Sequence, residues 1–122
     1  MLYSRWGGLG NDRCYIGFSG ETIVVWPALQ FQPYFTATAS NVAYGWWSHD
    51  IGGHFGGIED DELYLRWVQF GVFSPIFRLH STRNTFLERR PWARGRAVRE
   101  LASDAMRLRH RLISYIYSAA WH

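Results

Sequence analysis

Apolar and polar positions along this chain fall into two alternating rhythms. Four short apolar runs, Leu2 to Arg5, Tyr15 to Ser19, Tyr44 to Ser48 and Pro75 to His80, each end in polar or glycine-rich residues and are predicted to be strands. Longer segments with helical spacing lie between them. Trp26 to Ala39 is predicted as a helix with Pro27 in its first turn, and Pro33 is expected to kink or split it. Glu59 to Phe73 opens with the acidic run EDDE, suited to a helix N-terminus, and carries Leu63, Trp67 and Phe70 on one face. Arg96 to Trp121 shows the longest stripe, through Leu101, Ala105, Leu108, Leu112, Tyr115 and Ala119, and is predicted to be a single helix. Thr82 to Gly95 reads as a loop. Strands alternating with helices of this length predict an α/β fold with a mostly parallel sheet.

In such sheets the ligand-binding groups gather at the C-terminal ends of the strands. The polar residues at those places are Arg5, Glu21, the pair His49 and Asp50, and His80. The richest stretch is YGWWSHDIGGH, Tyr44 to His54, where two tryptophans, two histidines and a carboxylate surround a Gly-Gly turn. Hydrogen-bonding groups are costly to bury unsatisfied, and two adjacent tryptophans give a flat, amphipathic surface. A polar, ring-shaped ligand is therefore expected there. The remaining tryptophans, including Trp67, Trp92 and Trp121, are expected to pack in the core.

Composition narrows the alternatives. A chain of 122 residues that is 48% hydrophobic and 18% aromatic carries a heavy apolar load for one small domain, which implies a piece of something larger. The opening Met1-Leu2-Tyr3 has no basic or apolar leader pattern, and no segment reaches the roughly 18 apolar residues of a membrane span. A single cysteine, Cys14, excludes an internal disulfide. All 13 basic residues are arginine, ten of them from Arg78 onward. They are read as solvated helix faces, or as a face whose acidic partners lie in missing sequence, because no nucleic-acid motif accompanies them. The spacing of His49, Asp50, His54 and His80 matches no zinc motif, GGLGN lacks the spacing of a phosphate loop, and Cys14 has no paired histidine in its motif. No metal, cofactor, membrane or nucleic-acid partner is expected.

The runs RWGGLGNDRCYIGFSGET, FQPYFTATASNVAYGWWSHDIGGH and RWVQFGVFSPIFRLHS, with ERRPW at 88–92 and LRHRLISYIY, resemble glycoside hydrolase family 31, the retaining α-glucosidases and α-xylosidases. The resemblance covers nearly the whole chain. It implies the later part of a (β/α)8 barrel, an incomplete catalytic domain over residues 1–122. It also implies an α-linked oligosaccharide or glycoside as substrate. By position in the family motifs, Glu21 takes the role of general acid/base, Arg5 binds the sugar and the catalytic carboxylates, and Asp50 and His80 line the pocket for the non-reducing sugar. Phe18, Trp47 and His54 are then expected as pocket walls, since aromatic faces suit the C–H side of a sugar ring. Arg13 aligns with another family arginine.

A carboxyl group must protonate the glycosidic oxygen and then activate water, which glutamate can do. Family members usually carry aspartate where Glu21 stands, histidine where Asp12 stands and tyrosine where Cys14 stands. The resemblance places the nucleophile upstream of Arg5, outside this chain, so the isolated chain is expected to be inactive. A noncatalytic carbohydrate-binding relative and an α-transglucosylase are the alternative readings.

Overall fold

The computed structural model describes residues 3–4 and 16–121 of the chain. In order along the chain they form β1 (Tyr3–Ser4), β2 (Ile16–Phe18), α1 (Trp26–Ser40), β3 (Trp47–Ser48), α2 (Asp61–Gly71), a 3-10 turn (Pro91–Ala93), α3 (Arg96–Arg111) and α4 (Ile113–Trp121). The strands pair in the order β1-β2-β3, all parallel, with Gly17 opposite Trp47 and Phe18 opposite Ser48. The expected parallel α/β architecture is present, with strands shorter than the apolar runs.

The fourth predicted strand, Pro75 to His80, is reduced to a parallel bridge between Ser48 and Ile76. Two backbone hydrogen bonds hold it beside β3, Ile76 N–H to the Trp47 carbonyl and Ile51 N–H to the Arg78 carbonyl. Among the described residues this segment is paired on one side alone, so a continuous ladder does not form. The geometry still delivers Arg78 and His80 to the edge where β3 ends.

Pro33 does not interrupt α1. The helix is held on both sides of it, by buried Leu29 and Gln32 before and by Phe35 packed 5.1 Å from the Trp47 ring after. Tertiary contact here outweighs the lost backbone hydrogen bond. The acidic run acts as expected at the start of α2: the Asp60 carboxylate accepts from the N–H groups of Glu62 (2.8 Å) and Leu63 (3.1 Å). These bonds, the one from Leu63 foremost, pull its pKa down, and the Trp26 indole N–H adds a third donor at 3.1 Å.

The core is built from Val24, Leu29, Ile51, Leu63, Tyr64, Trp67, Val68, Leu87, Val98 and Ala102, which places α2 at its centre. The last predicted helix is two helices. At Leu112 the backbone turns to φ −91°, ψ 0°, and its N–H is shared between the Leu108 and Arg109 carbonyls, the tightening that ends a helix.

The buried side of α3 also differs from the stripe. Val98 and Ala102 face the core, whereas Leu101 is 54% exposed and Leu108, Ile113 and Tyr115 are exposed with it. Trp67 is buried as expected, but Trp92 (69% exposed) and Trp121 (78%) are on the surface. The accessible area, 8050 Å², exceeds the roughly 6,800 Å² expected of a compact 14.3-kDa monomer. Large apolar side chains account for part of that excess. No described helix is long and apolar enough to cross a membrane.

Candidate functional site

The stretch after β3 alternates its side chains between two environments, as extended backbone must. Trp47 and His49 turn toward the helices. Trp47, expected as a pocket wall, is 2% exposed and packs edge-on against Tyr44 (4.7 Å between centroids) and against Phe35 of α1. His49 stacks on it at 6.3 Å and meets Phe70 of α2 at 5.1 Å. Trp47 is thus a support beneath the site, because its register points it to the helix layer. His49 is fully buried, and burial lowers its pKa to about 4. Its neutral ring links Ser19 Oγ (2.9 Å) to Thr36 Oγ1 (3.4 Å), tying the loop after β2 to α1.

Ser48 and Asp50 take the other side. Asp50 is 1% exposed, yet its carboxylate is fully engaged: one oxygen meets His54 Nδ1 at 2.5 Å and the other accepts from the Arg78 guanidinium. A buried carboxylate needs such partners, since desolvation alone would drive it neutral. Gly52 (φ +99°) and Gly53 (φ +82°) form the turn between Asp50 and His54, closed by the Gly53 N–H on the Asp50 carbonyl at 2.8 Å. Both conformations disfavour any residue with a Cβ. The turn bends the chain back so that an aspartate and a histidine four residues apart share one hydrogen bond.

His80 comes from the neighbouring segment, with its ring 5.1 Å from His54. Phe18 enters from β2, and the Arg78 guanidinium carbon lies 4.9 Å above its ring. Phe18, Asp50, His54, Arg78 and His80 therefore form one constellation at the strand ends. His54 is 13% exposed and His80 is on the surface, so the group opens to solvent. Glu21 is exposed on the loop from β2 to α1, just after Gly20 (φ +93°), on the same edge of the sheet. Arg5, with Asp12, Arg13 and Cys14, lies outside the described residues.

Arg78 was not singled out as a site residue from sequence. The signal was present: Ile76, Arg78 and His80 occupy alternate positions, so Arg78 shares a face with His80 in an extended segment.

Asp50, His54 and His80 also offer three ligand atoms within 4.8 Å of one another. Ligands around tetrahedral zinc stand closer, about 3.4 Å apart for bonds near 2.1 Å. Both Asp50 oxygens are already engaged, and the Arg78 cation opposes a second cation. The set suits hydroxyl recognition better, as a row of charged and neutral donors and acceptors with one apolar wall.

The arginine excess is largely accounted for. Arg90 pairs with Glu88, Arg94 with Glu59 and Asp61, Arg96 with Glu100 and Arg107 with Asp104. Arg109 donates to the carbonyls of Val72, Ser74 and Pro75, fixing the start of the segment that carries Arg78 and His80.

A parallel α/β arc whose strand ends gather polar groups in this way is the arrangement of the ligand-binding face of a (β/α) barrel. Residues 1–119 match the family described as "Glycosyl hydrolases family 31 TIM-barrel domain", and the chain belongs to that family. An α-xylosidase of Saccharolobus solfataricus is 34% identical over 99% of this chain and 17% of its own length. Neutral α-glucosidase C of Mus musculus is 34% identical over 100% of this chain and 13% of its own.

Among solved structures, the cycloalternan-degrading enzyme from Trueperella pyogenes superposes with a TM-score of 0.85 at 25% identity, over 95% of this chain and 18% of that one. A Flavobacterium johnsoniae dextranase complexed with glucose gives 0.77 at 30% identity, over 86% and 14%. The chain thus spans less than a fifth of the length of these relatives.

Proposed function

We propose that residues 1–122 are the later part of the catalytic barrel of a retaining glycosidase that hydrolyses the O-glycosyl bond of α-linked glucosides or xylosides. The observation that carries this reading is the buried Asp50 carboxylate, held between Arg78 and His54 with His80 beside it. The imidazoles of His54 and His80, set in place through the Asp50 carboxylate, match the vicinal hydroxyls of a terminal sugar, and Phe18 supplies an apolar face for the ring. Arg5 completes the hydroxyl contacts in this reading, and Trp47 supports the site from below. Relatives named α-xylosidase and neutral α-glucosidase support the substrate class.

The reaction proceeds by double displacement. A carboxylate from outside this chain attacks the anomeric carbon while Glu21 protonates the departing glycosidic oxygen. Glu21, now a carboxylate, takes a proton from water, the oxygen of which replaces the enzyme at the anomeric carbon and frees the sugar. A sugar hydroxyl in place of water gives transglycosylation with the same groups. In this reading the nucleophile is external, and the 122 residues alone are expected to be inactive.

The test is turnover of aryl α-glucoside and α-xyloside by the natural gene product carrying these residues, beside its Glu21→Gln variant. Loss of about 10²- to 10⁴-fold in kcat is expected, the contribution typical of a positioned general acid. A second reading, a noncatalytic carbohydrate-binding relative, is favoured by glutamate standing where the family usually has aspartate. Sugar binding without turnover in the unsubstituted protein would establish it and overturn the glycosidase reading.

A further inference from the structure

We infer that Arg89, in the loop before α3, is a positioning residue for the Asp50–His54 turn. It is 6% exposed, and its Nε donates to the Gly53 carbonyl at 3.1 Å. Its stem lies flat against Gly52: a Cβ built there would stand 2.8 Å from Arg89 Cδ and 2.9 Å from Nε. The two glycines that set the spacing of Asp50 and His54 are thus covered by one side chain. From the other direction, the Arg89 carbonyl accepts the buried Tyr64 hydroxyl of α2 at 3.0 Å, so the base of the brace is anchored in the core. A connected path runs from α2 through Arg89 to Gly53, and Asp50 and His54 lie immediately at its end.

The chemistry of this guanidinium argues against a stability role alone. Burying a guanidinium is costly unless a carboxylate and further hydrogen bonds compensate it. Among the described residues Arg89 makes no ion pair: Nε and Nη1 go to the carbonyls of Gly53 and Glu88, and Nη2 has no partner. Burial, its largest cause, lowers the Arg89 pKa. An apolar side chain would fill the space at lower cost, but it would leave the Gly53 carbonyl without its donor. The planar fork does two things at once that neither leucine nor methionine can do: it covers Gly52 and fixes the orientation of the Gly53 peptide.

The consequence for sugar binding rests on the glycosidase reading, whereas the bracing itself does not. The test therefore has two arms, both with Arg89→Met and Arg89→Lys in the natural gene product. In the first, amide hydrogen exchange is followed at Gly53 and His54, with the α2 amides as internal reference. Met is expected to speed exchange in the turn about tenfold, with α2 less affected and Lys intermediate. In the second, affinity for glucose or xylose is measured below the onset of unfolding. Met is expected to weaken it about tenfold and Lys to recover part of the loss.

Unchanged exchange at Gly53 and His54 in a folded Met variant would overturn the brace, whatever the sugar does. Faster exchange with sugar affinity equal to that of the unsubstituted protein would overturn the positioning role. Absence of sugar binding in the unsubstituted protein would count against the proposed function and leave the exchange arm to decide the brace. If Met fails to fold, Lys carries both arms, since it keeps the stem and one donor.

Discussion

The turn from Asp50 to His54 and the outer surface of α3 and α4 are built on opposite terms. In the turn and just before it, buried polar side chains are paired, Asp50 with Arg78 and His54, the neutral ring of His49 with Ser19 and Thr36. Along α3 and α4 the reverse holds, with Leu101, Ile113, Tyr115, Tyr117 and Trp121 exposed. Polar groups inside and apolar groups outside are both costly in an isolated globule. The first is explained by chemistry at the strand ends. The chain spans less than a fifth of its relatives' length, and the function proposed here would set the second face against other parts of a larger barrel.

The sharpest way to break the comparison is to remove the buried carboxylate. Asp50→Ala leaves Arg78 and His54 without their acceptor and is expected to destabilise the fold by about 3 kcal/mol, measured by urea denaturation. That is the low end for a buried pair, because the Arg78 side chain is 30% exposed and can rehydrate. A loss below about 1 kcal/mol would mean that the carboxylate is solvated and the constellation loose.

His49 gives the next largest effect, through pH. Its pKa is about 4 in the fold against 6.5 unfolded, so above pH 6.5 both states are neutral and stability is full. As pH falls from 6.5 toward 4 the unfolded chain takes up a proton that the folded one refuses, and stability is lost. That difference sets a ceiling of about 3 kcal/mol, reached near pH 4. His49→Gln keeps hydrogen-bonding capacity without a titrating ring, and its thermal midpoint is expected to be flatter across that window. Glu88, lowered to about 2 chiefly by the side-chain hydrogen bond from Arg90, loses its contribution only below pH 4.5, so the two are separable.

Much of the strand-end region was legible in the sequence because its constraints are local. The Gly-Gly turn, the histidine four residues after an aspartate and the polar ends of apolar runs are set by backbone conformation and hydrogen bonding within a few residues. Asp60 as the cap of α2 is the same kind of signal. What failed depended on distant neighbours. Trp47 and Trp46 are adjacent and chemically alike, and which of them enters the core is decided by strand register, not by composition. The α3 stripe was misread because Leu101 is the more apolar residue, while the surface of α2 accepts the small side chain of Ala102.

That misreading yields a paired prediction of intermediate size. Ala102 is fully buried, so Ala102→Leu is expected to destabilise by about 1–3 kcal/mol through overpacking. Leu101→Gln, one residue away, is expected to change stability in the 122-residue chain by less than about 0.5 kcal/mol. Equal effects would return α3 to the face that the stripe implied. The same Leu101→Gln change in the natural gene product is the sharper experiment, since a larger loss there would show that another part of the protein covers this face.

A smaller effect than that of Ala102→Leu sits at the end of α1, on neither side of the comparison. Ala43 holds φ at +60°, the left-handed region, where a Cβ is strained by about 1–2 kcal/mol. The position is imposed from both directions: Ala43 N–H bonds to the Ser40 carbonyl as the helix ends, and Tyr44 must immediately turn inward to pack on Trp47. Ala43→Gly relieves the strain but frees the unfolded chain, so the net gain is expected to be about 0.5–1 kcal/mol in urea denaturation. A loss instead would mean that the Ala43 methyl group makes contacts worth more than the strain. The apolar groove it borders with Gly45, Trp46 and Phe73 would then be part of what holds β3 in register.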